Sequence, residues 1–543
     1  MKVDSQRHVA TGFRALGILL LALAVSACDN LLAQEPAPVP STPASGITLL
    51  DAVRSTLVNQ PLLRIQEQQV NISRGIKQQA SGQFDTSLGS SVIQSRTNTP
   101  LTLYLKQQAL LNGTPTNDLV TNLTTYNANA GKLFRSGISA SIVLGVTRDL
   151  DNITQGGGIN GSHLGLVVNI PLLRGLGSEA VAAQEGADAL EVEASLLDLD
   201  QLIAQLMASA ASSYWNFVAA HRSLRIAQDS EQRGRSYVEN VQAFIDADRV
   251  PRSDIHEVTA NLAARTATRI AAEHQVESAR QQLALDMGLP SEQMLSLPDP
   301  RDDFPSPENQ PLPANEPTAM QYYLGESLKR RADFLAAEKR YAEARRLLAG
   351  AKNQLLPSLD LSVSTGYSGL REGKNVEQFF GAPFRGVQGV DAALAINYSF
   401  PPRNDIARGQ VVQSVAAVNQ ALLRKTQIAE SITAAVSVAV DGVRAAAGQV
   451  QKAVDSVNSF QLALTAERER YRMGISSVVE VLTVEDALTT ALTNQVQVRL
   501  GFSLALIRLR FATGTLIELN KPVQIVDGSI FLTIPFAAGP QGH

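Results

Sequence analysis

The sequence has little cysteine, few aromatic residues and no excess of charge of one sign. Among its 543 residues there are one Cys and one Trp, aromatic residues make up 5%, and the formal net charge is −4. A single cysteine excludes an intramolecular disulfide framework and a zinc site built from several cysteines. The slightly acidic balance argues against a sequence-independent nucleic-acid-binding protein, because such a protein carries a basic face. We therefore expect no nucleic acid among its partners.

Long apolar runs and catalytic motifs are also lacking. After residue 28 no run reaches about 18 consecutive apolar residues, the length typical of a transmembrane helix. The mean hydropathy of −0.01 agrees, and together these features exclude a polytopic helical membrane protein. The sequence has no P-loop, no zinc-protease motif and no serine nucleophile elbow, and its histidines lack metal-ligand spacing. We expect no enzymatic activity, no metal and no cofactor.

The first residues have the features of a bacterial signal peptide. A basic stretch precedes an apolar segment, residues 15–25, which is too short to span a bilayer as a helix. The segment leads into Val-Ser-Ala-Cys, which resembles the bacterial lipobox, and the only cysteine, Cys28, occupies the acceptor position. We predict a lipoprotein signal peptide over residues 1–27 and a covalent lipid on Cys28. A plain secretory signal with a chance cysteine is the alternative.

The segment after the signal peptide predicts an acylated tether. Residues 28–46 are rich in Pro, Ala and Ser, a composition typical of extended linkers. A diglyceride plus an amide-linked chain such as palmitate would anchor the protein stably, since two acyl chains suffice where one is marginal. Asp29 follows the cysteine. An acid there is associated with inner-membrane retention in enteric bacteria but less so elsewhere, so Asp29 leaves the choice of membrane open.

Two segments predict unusually long helices. Residues 178–247 and 404–473 contain no proline and are rich in Ala, Leu, Gln, Glu and Ser. Each would be roughly 100 Å long at about 1.5 Å per residue. Helices of this length need a partner along their whole length, which indicates packing of the coiled-coil kind. Shorter segments that alternate apolar and polar residues, such as 359–364 and 390–398, are typical of strands with one apolar face.

An internal repeat organises the chain. Residues 59–63 correspond to 330–334 at an offset of 271, whereas Pro171 corresponds to Pro401 at an offset of 230. The drop of 41 residues between these offsets places an insertion in the strand region of the first copy, where residues 98–134 are rich in Asn, Thr and Leu. Each copy therefore reads as helix, strands, long helix, turn, helix. The predicted divisions are a first repeat over 47–297 with strands at about 84–171, a Pro-rich linker over 298–317, a second repeat over 318–515 with strands at about 357–401, and a tail over 516–543.

The number of strands in the first copy raises a parity question. If all helices lie on one side of a membrane, each copy must cross it an even number of times. The first copy has three strand-like segments, near 84–97, 135–150 and 162–171. We therefore expect one of them not to be a full crossing. We favour a hairpin from 135–150 to 162–171 through the glycine-rich loop 155–161; the alternative hairpin joins 84–97 to 162–171.

Over about residues 47–515 the chain resembles the TolC-type outer-membrane efflux channel family. The tandem repeat, Pro-Leu-Leu-Arg-Gly at 171–175 and the turn segment 471–482 carry the resemblance. It implies a mostly α protein with a small membrane β part, whose long antiparallel helices form a periplasmic α-barrel. It also implies a homotrimer in the outer membrane, in which each subunit gives four strands to one shared twelve-stranded β-barrel.

The resemblance further implies a passive channel-tunnel that exports substrates for an inner-membrane pump, which a periplasmic adaptor connects to it. Both tripartite efflux and type I secretion systems use this architecture, and most of the chain would lie in the periplasm. The alternative from a different class is a periplasmic structural lipoprotein of coiled helices, anchored in the inner membrane.

The resemblance also assigns site residues at the helical tips. Glu480 matches the family's ring of carboxylates at the periplasmic entrance, and Asp254 matches the carboxylate of the first-repeat tip. Tyr471 matches a partner of that carboxylate, but Ser476 stands where the best-known pattern has a basic residue. The family's second acidic position, three residues after Glu480, is Thr483 here, and the acids Glu485 and Asp486 follow just beyond. We therefore expect the ring to be weaker or displaced in this chain.

Four residues are predicted to form the tip turns and contact the adaptor: Val250, Gly474, Ile475 and Ser476. Gly474 suits the positive φ that ends a helix. Pro171 and Pro401 are predicted to mark the junctions between strand and helix, where a missing N–H is tolerated.

Overall fold

A computed structural model describes residues 46–153, 158–248, 250–308, 310, 312, 317–373, 375–387, 389–519 and 527–536. The predicted signal peptide, Cys28 and nearly all of the tether lie outside the described residues. The description below concerns the unit formed by residues 47–543. Its helices are α1 (Leu49–Asn59), α2 (Pro61–Ser81), α3 (Leu103–Leu111), α4 (Ser178–Val181), α5 (Ala183–Asp246), α6 (Asp254–Asp286), α7 (Ser291–Met294), α8 (Pro317–Arg330), α9 (Ala332–Asn353), α10 (Val376–Gly381), α11 (Asp405–Arg472) and α12 (Val478–Ala512).

The two halves of the chain begin with the same broken helix. In the first half Gln60 is extended and Pro61 starts α2, where its fixed φ and missing N–H suit the first turn. In the second half Arg331 is extended and α9 starts at the next residue. No proline is present at that break; instead the Arg331 guanidinium donates to Asp333 at 2.9 Å and to the Phe511 carbonyl at 3.0 Å. The offset of 271 predicted from the sequence relates the two breaks.

The long helices follow the proline-free segments closely. Helix α5 has 64 residues and α11 has 68. Each turns back into a shorter helix, α6 or α12, and packs against it. Buried alanines such as Ala211 on α5 and Ala447 on α11 let the neighbouring backbones approach. Among the described residues, no helix combines the length and the apolar character needed to cross a bilayer.

The strands form one antiparallel sheet in sequence order. They are β1 (Ser87–Pro100), β2 (Asp118–Leu133), β3 (Ser139–Asp151), β4 (Ile159–Pro171), β5 (Ser358–Glu372) and β6 (Asp391–Ser399). Residues that pair across antiparallel strands share a face. Val168 pairs with Val363, which pairs with Leu394, whereas the next residue, Asn169, pairs with Ser362. The sheet therefore has one apolar and one largely polar face.

The expectation of four strands is wrong for this chain, because the described residues form a sheet of six strands. The surplus residues 98–134 do not interrupt the sheet. They contain α3 and β2, and β2 fills the place between β1 and β3. All three strand-like segments of the first half form strands, and β2 is a fourth. The number of strands in the first half is therefore even, so none of the three segments has to be excluded as a full crossing. Strand β3 pairs with β4, as in the favoured hairpin; residues 154–157 of its loop lie outside the described residues.

Candidate functional site

The tips of the two helical hairpins pack against each other. The first tip connects α5 to α6, and the second connects α11 to α12. Val241 and Val258 from the first hairpin are buried together with Val478 and Leu482 from the second. Val250 and Tyr471 are partly buried at the margin of this cluster. An apolar contact within one chain thus brings the predicted tip residues of both repeats together.

The second tip is a tight turn centred on glycine. Gly474 has φ +74°, and its N–H donates to the Tyr471 carbonyl at 3.0 Å. A Cβ at Gly474 would meet no atom within 4 Å, so the left-handed backbone and not space is what requires glycine. Ile475 is 64% exposed. The turn therefore presents an apolar side chain to solvent at the end of the hairpin.

The Glu480 side chain caps the N-terminus of α12. It accepts the Ser477 N–H at 2.9 Å, while its own N–H donates to the Ser477 hydroxyl at 3.4 Å, which is a capping box. The Ser476 hydroxyl donates to Glu480 at 2.6 Å. That bond and the one from the Ser477 N–H hold the pKa of Glu480 below its usual range. Ser476 also contacts Glu467, so it lies between two carboxylates.

Asp254 and Tyr471 are neighbours, but they are not bonded to each other. Asp254 is the first residue of α6 and accepts the Ser253 hydroxyl at 3.1 Å. Burial and, secondly, the negative charge of Asp254 raise the pKa of Tyr471. The Tyr471 ring packs edge-on against Phe244, with 6.2 Å between centroids. Within the described residues no hydrogen bond joins Tyr471 to Asp254, and Ser476 binds Glu480 instead of Asp254.

Sequence reasoning missed a buried ion cluster, which consists of Glu485 and the basic side chains around it. Glu485 on α12 is fully buried. Arg233 on α5 donates to its Oε1 at 2.5 Å, and Arg265 on α6 does so at 3.2 Å. Arg468 on α11 lies 3.6 Å from Oε2. One carboxylate therefore contacts a cation from each of the other three helices of the two hairpins.

The environment of Glu485 keeps it charged. Burial alone would raise its pKa, but the nearby Tyr237 hydroxyl, Arg233 and Arg265 outweigh burial, and the pKa is lowered. Asp486 is 50% exposed and binds Arg265 at 2.8 Å. Both acids beyond Glu480 are thus engaged in ion pairs within the chain, so the structure does not support a ring displaced onto them. A signal was present in the sequence, because Glu485 interrupts an apolar stripe of α12 that includes Val481 and Leu488.

The two prolines lie between strand and helix. Pro171 is the last residue of β4, and the next N–H, from Leu172, donates to the Leu359 carbonyl at 2.7 Å. Pro401 lies between β6 and α11, whose first turn is preceded by Asn404 in the left-handed conformation. Among the described residues no group of His, Cys, Asp and Glu is placed to hold a metal ion.

Comparison with known proteins gives a consistent set of similarities. The model of the family described as outer membrane efflux protein matches residues 323–515. The outer membrane protein TolC of Escherichia coli is 23% identical over 344 residues, which are 59% of this chain and 65% of that protein. The pyoverdine export outer membrane protein OpmQ of Pseudomonas putida is 25% identical over 335 residues, 61% of this chain and 67% of that one. The match therefore spans about two thirds of the length of these relatives.

The fold is also that of a solved channel. The crystal structure of the Campylobacter jejuni CmeC outer membrane channel superposes with a TM-score of 0.62 and 14% identity, and the match covers 87% of each chain. Sequence similarity is thus low while the architecture is shared over nearly the whole described chain.

Proposed function

Because the chain belongs to the TolC-type outer-membrane efflux channel family, we propose that it is a passive export channel of the outer membrane. One observation carries the proposal. A sheet with one apolar and one largely polar face leads, after Pro171 and Pro401, into two long helical hairpins. An apolar face suits lipid and a polar face suits a water-filled lumen. The helices then continue the path on one side of the membrane.

A homotrimer follows from the open edges of the sheet. Among the described residues, strands β1 and β6 each pair on one side only. In hydrocarbon, unpaired N–H and C=O groups have no water to bind, so a membrane sheet must close on itself. Six strands from one chain are fewer than the eight of the smallest membrane barrels. Pairing between the edge strands of neighbouring copies leaves no unpaired edge. We propose three copies, the number that the resemblance to the family implies.

The helical tips are the proposed contact with the adaptor and the proposed gate. Exposed Ile475 and Met473 provide an apolar end for a periplasmic adaptor, which connects the channel to an inner-membrane pump. Exposed Glu480 is placed to form a ring of three carboxylates around the threefold axis, which would favour cations. Export energy comes from the pump, and the channel itself is not an enzyme.

The proposed anchor is a lipid on Cys28, in the outer membrane. The supporting observation is the position of the only cysteine directly after a signal-peptide core. The alternative, a periplasmic structural lipoprotein of the inner membrane, leaves the amphipathic sheet without a role.

Fractionation tests the proposal. We expect the full-length protein in the outer-membrane fraction, as an oligomer that survives heating in detergent and dissociates to a single band on stronger heating. Recovery as a water-soluble monomer, or in the inner membrane without inserted β structure, contradicts the proposal.

A further inference from the structure

The hairpin formed by β1 and β2 is a full part of the sheet. It pairs over its whole length, from Ser87 opposite Gly131 to Pro100 opposite Asp118. Strand β2 also pairs with β3 over 13 residues of β3, from Thr121 opposite Asp151 to Leu133 opposite Ser139. The edge of β3 that would face a neighbouring copy in a four-strand arrangement is thus occupied by β2.

The hairpin continues both faces of the sheet. One row of paired residues runs through all six strands on the apolar face: Leu88, Ala130, Ile142, Leu166, Thr365 and Ala392. The adjacent row on the other face consists of Ser87, Gly131, Ser141, Val167, Ser364 and Ala393. The added strands therefore lie at the same level as the other four, and in this row they present Ser87 and Gly131 on the polar face.

The two edge strands, β1 and β6, have the faces and directions needed to pair with each other across copies. Leu88 on β1 is 82% exposed and Leu394 on β6 is 68% exposed, and both belong to the apolar face. Because the sheet is antiparallel throughout and has an even number of strands, β1 and β6 run in opposite directions. Strand β6 of one copy can therefore pair antiparallel with β1 of the next copy. Repeating this pairing around the threefold axis closes the sheets into a ring, with the apolar faces of all copies on the same side.

We infer that the occupant of both edges is a second copy of this chain, and that three copies of six strands build an eighteen-stranded barrel. This inference rests on the proposed trimeric channel. Barrel diameter grows roughly linearly with strand number, so the barrel is about one and a half times as wide as one of twelve strands. With this width, the outer-membrane section suits large hydrated cargo.

Cysteine cross-linking distinguishes the two closures. Leu394→Cys is combined with a cysteine on the apolar face of β1, at Ser90, Val92 or Gln94, so that three registers are sampled. The matched set combines Leu394→Cys with a cysteine on β3, at Ile142, Leu144 or Val146. Leu394→Cys alone is the control. If Cys28 is acylated on its thiol, no native thiol competes. Outer membranes are treated with a short thiol-reactive cross-linker and resolved on denaturing gels.

The eighteen-stranded barrel predicts covalent trimers from at least one β1 pair and none from the β3 pairs. Trimers from the β3 pairs alone contradict the inference and indicate twelve strands. A heat-resistant trimer with no cross-link in either set also contradicts it. Absence of any heat-resistant oligomer, measured before cross-linking on the unsubstituted protein, instead rejects the trimeric channel on which the inference rests.

Discussion

Arg233 and Glu485, which are far apart in sequence, form an ion pair of 2.5 Å between the two helical hairpins of the chain. Arg265 and Arg468 complete the surroundings of the same carboxylate. The four side chains come from four different helices, so any movement of one hairpin relative to the other at this level must separate charges that are buried or partly buried. The cluster therefore restrains the proposed gate at a position away from the tip turns.

Removing the buried carboxylate should destabilise the helical hairpins. Glu485→Ala leaves Arg265, whose side chain is 6% exposed, without its buried partner. We expect a loss of about 3–5 kcal/mol in the free energy of unfolding, as is usual when one member of a buried pair is removed. Denaturant unfolding followed by circular dichroism measures it. Asp486→Ala is the matched control, because Asp486 is half exposed, and a loss under about 1 kcal/mol is expected. Equal losses would contradict the role given to Glu485.

The charge and the capping role of Glu480 can be separated. Glu480→Gln keeps an acceptor for the Ser477 N–H but removes the charge. We expect cation selectivity and block by divalent cations to fall while the melting temperature stays unchanged. Ser477→Ala should do the reverse, with a loss of about 1 kcal/mol from the cap and unchanged selectivity. Reversal potentials in asymmetric salt report the selectivity, and an unchanged value for Glu480→Gln removes Glu480 from the ring.

Glu343 on α9 should make stability depend on pH. Burial and the negative charge of Glu191 raise the pKa of Glu343 to about 7, although Arg340 opposes this. The fold thus favours the protonated acid, whose stabilising contribution is complete below the ordinary value of 4.5 and is lost as pH rises through 7. Glu343→Gln should therefore stabilise the protein at pH 8, by about 1 kcal/mol after solvent screening, and have little effect at pH 4. Thermal unfolding at the two pH values tests this; equal effects at both would contradict it.

The proposed lipid attachment depends on one residue, Cys28. Cells fed labelled palmitate should incorporate the label into the native protein, and Cys28→Ser should abolish incorporation. Intact mass spectrometry should show the loss of both the diglyceride and the amide-linked chain. Cleavage of the native chain without label would favour a plain secretory signal over the lipobox.

The sequence allowed the long helices to be predicted almost residue by residue. Segment 404–473 forms α11 over Asp405–Arg472, because a long proline-free stretch of good helix formers leaves few other structures possible. Strand β2 was missed because its residues alternate weakly, with Asn and Thr on both faces. The offset between the repeats located the surplus residues correctly but did not show that they add strands. The Glu485 cluster joins four segments distant in sequence, which local patterns do not bring together.

Conductance tests the central claim most directly. The purified full-length protein, added to a planar lipid bilayer, should insert and produce discrete single-channel currents that select cations over anions. Those currents should lose cation selectivity in Glu480→Gln. Protein that is folded and trimeric by light scattering but never produces single-channel currents under these conditions would contradict the account.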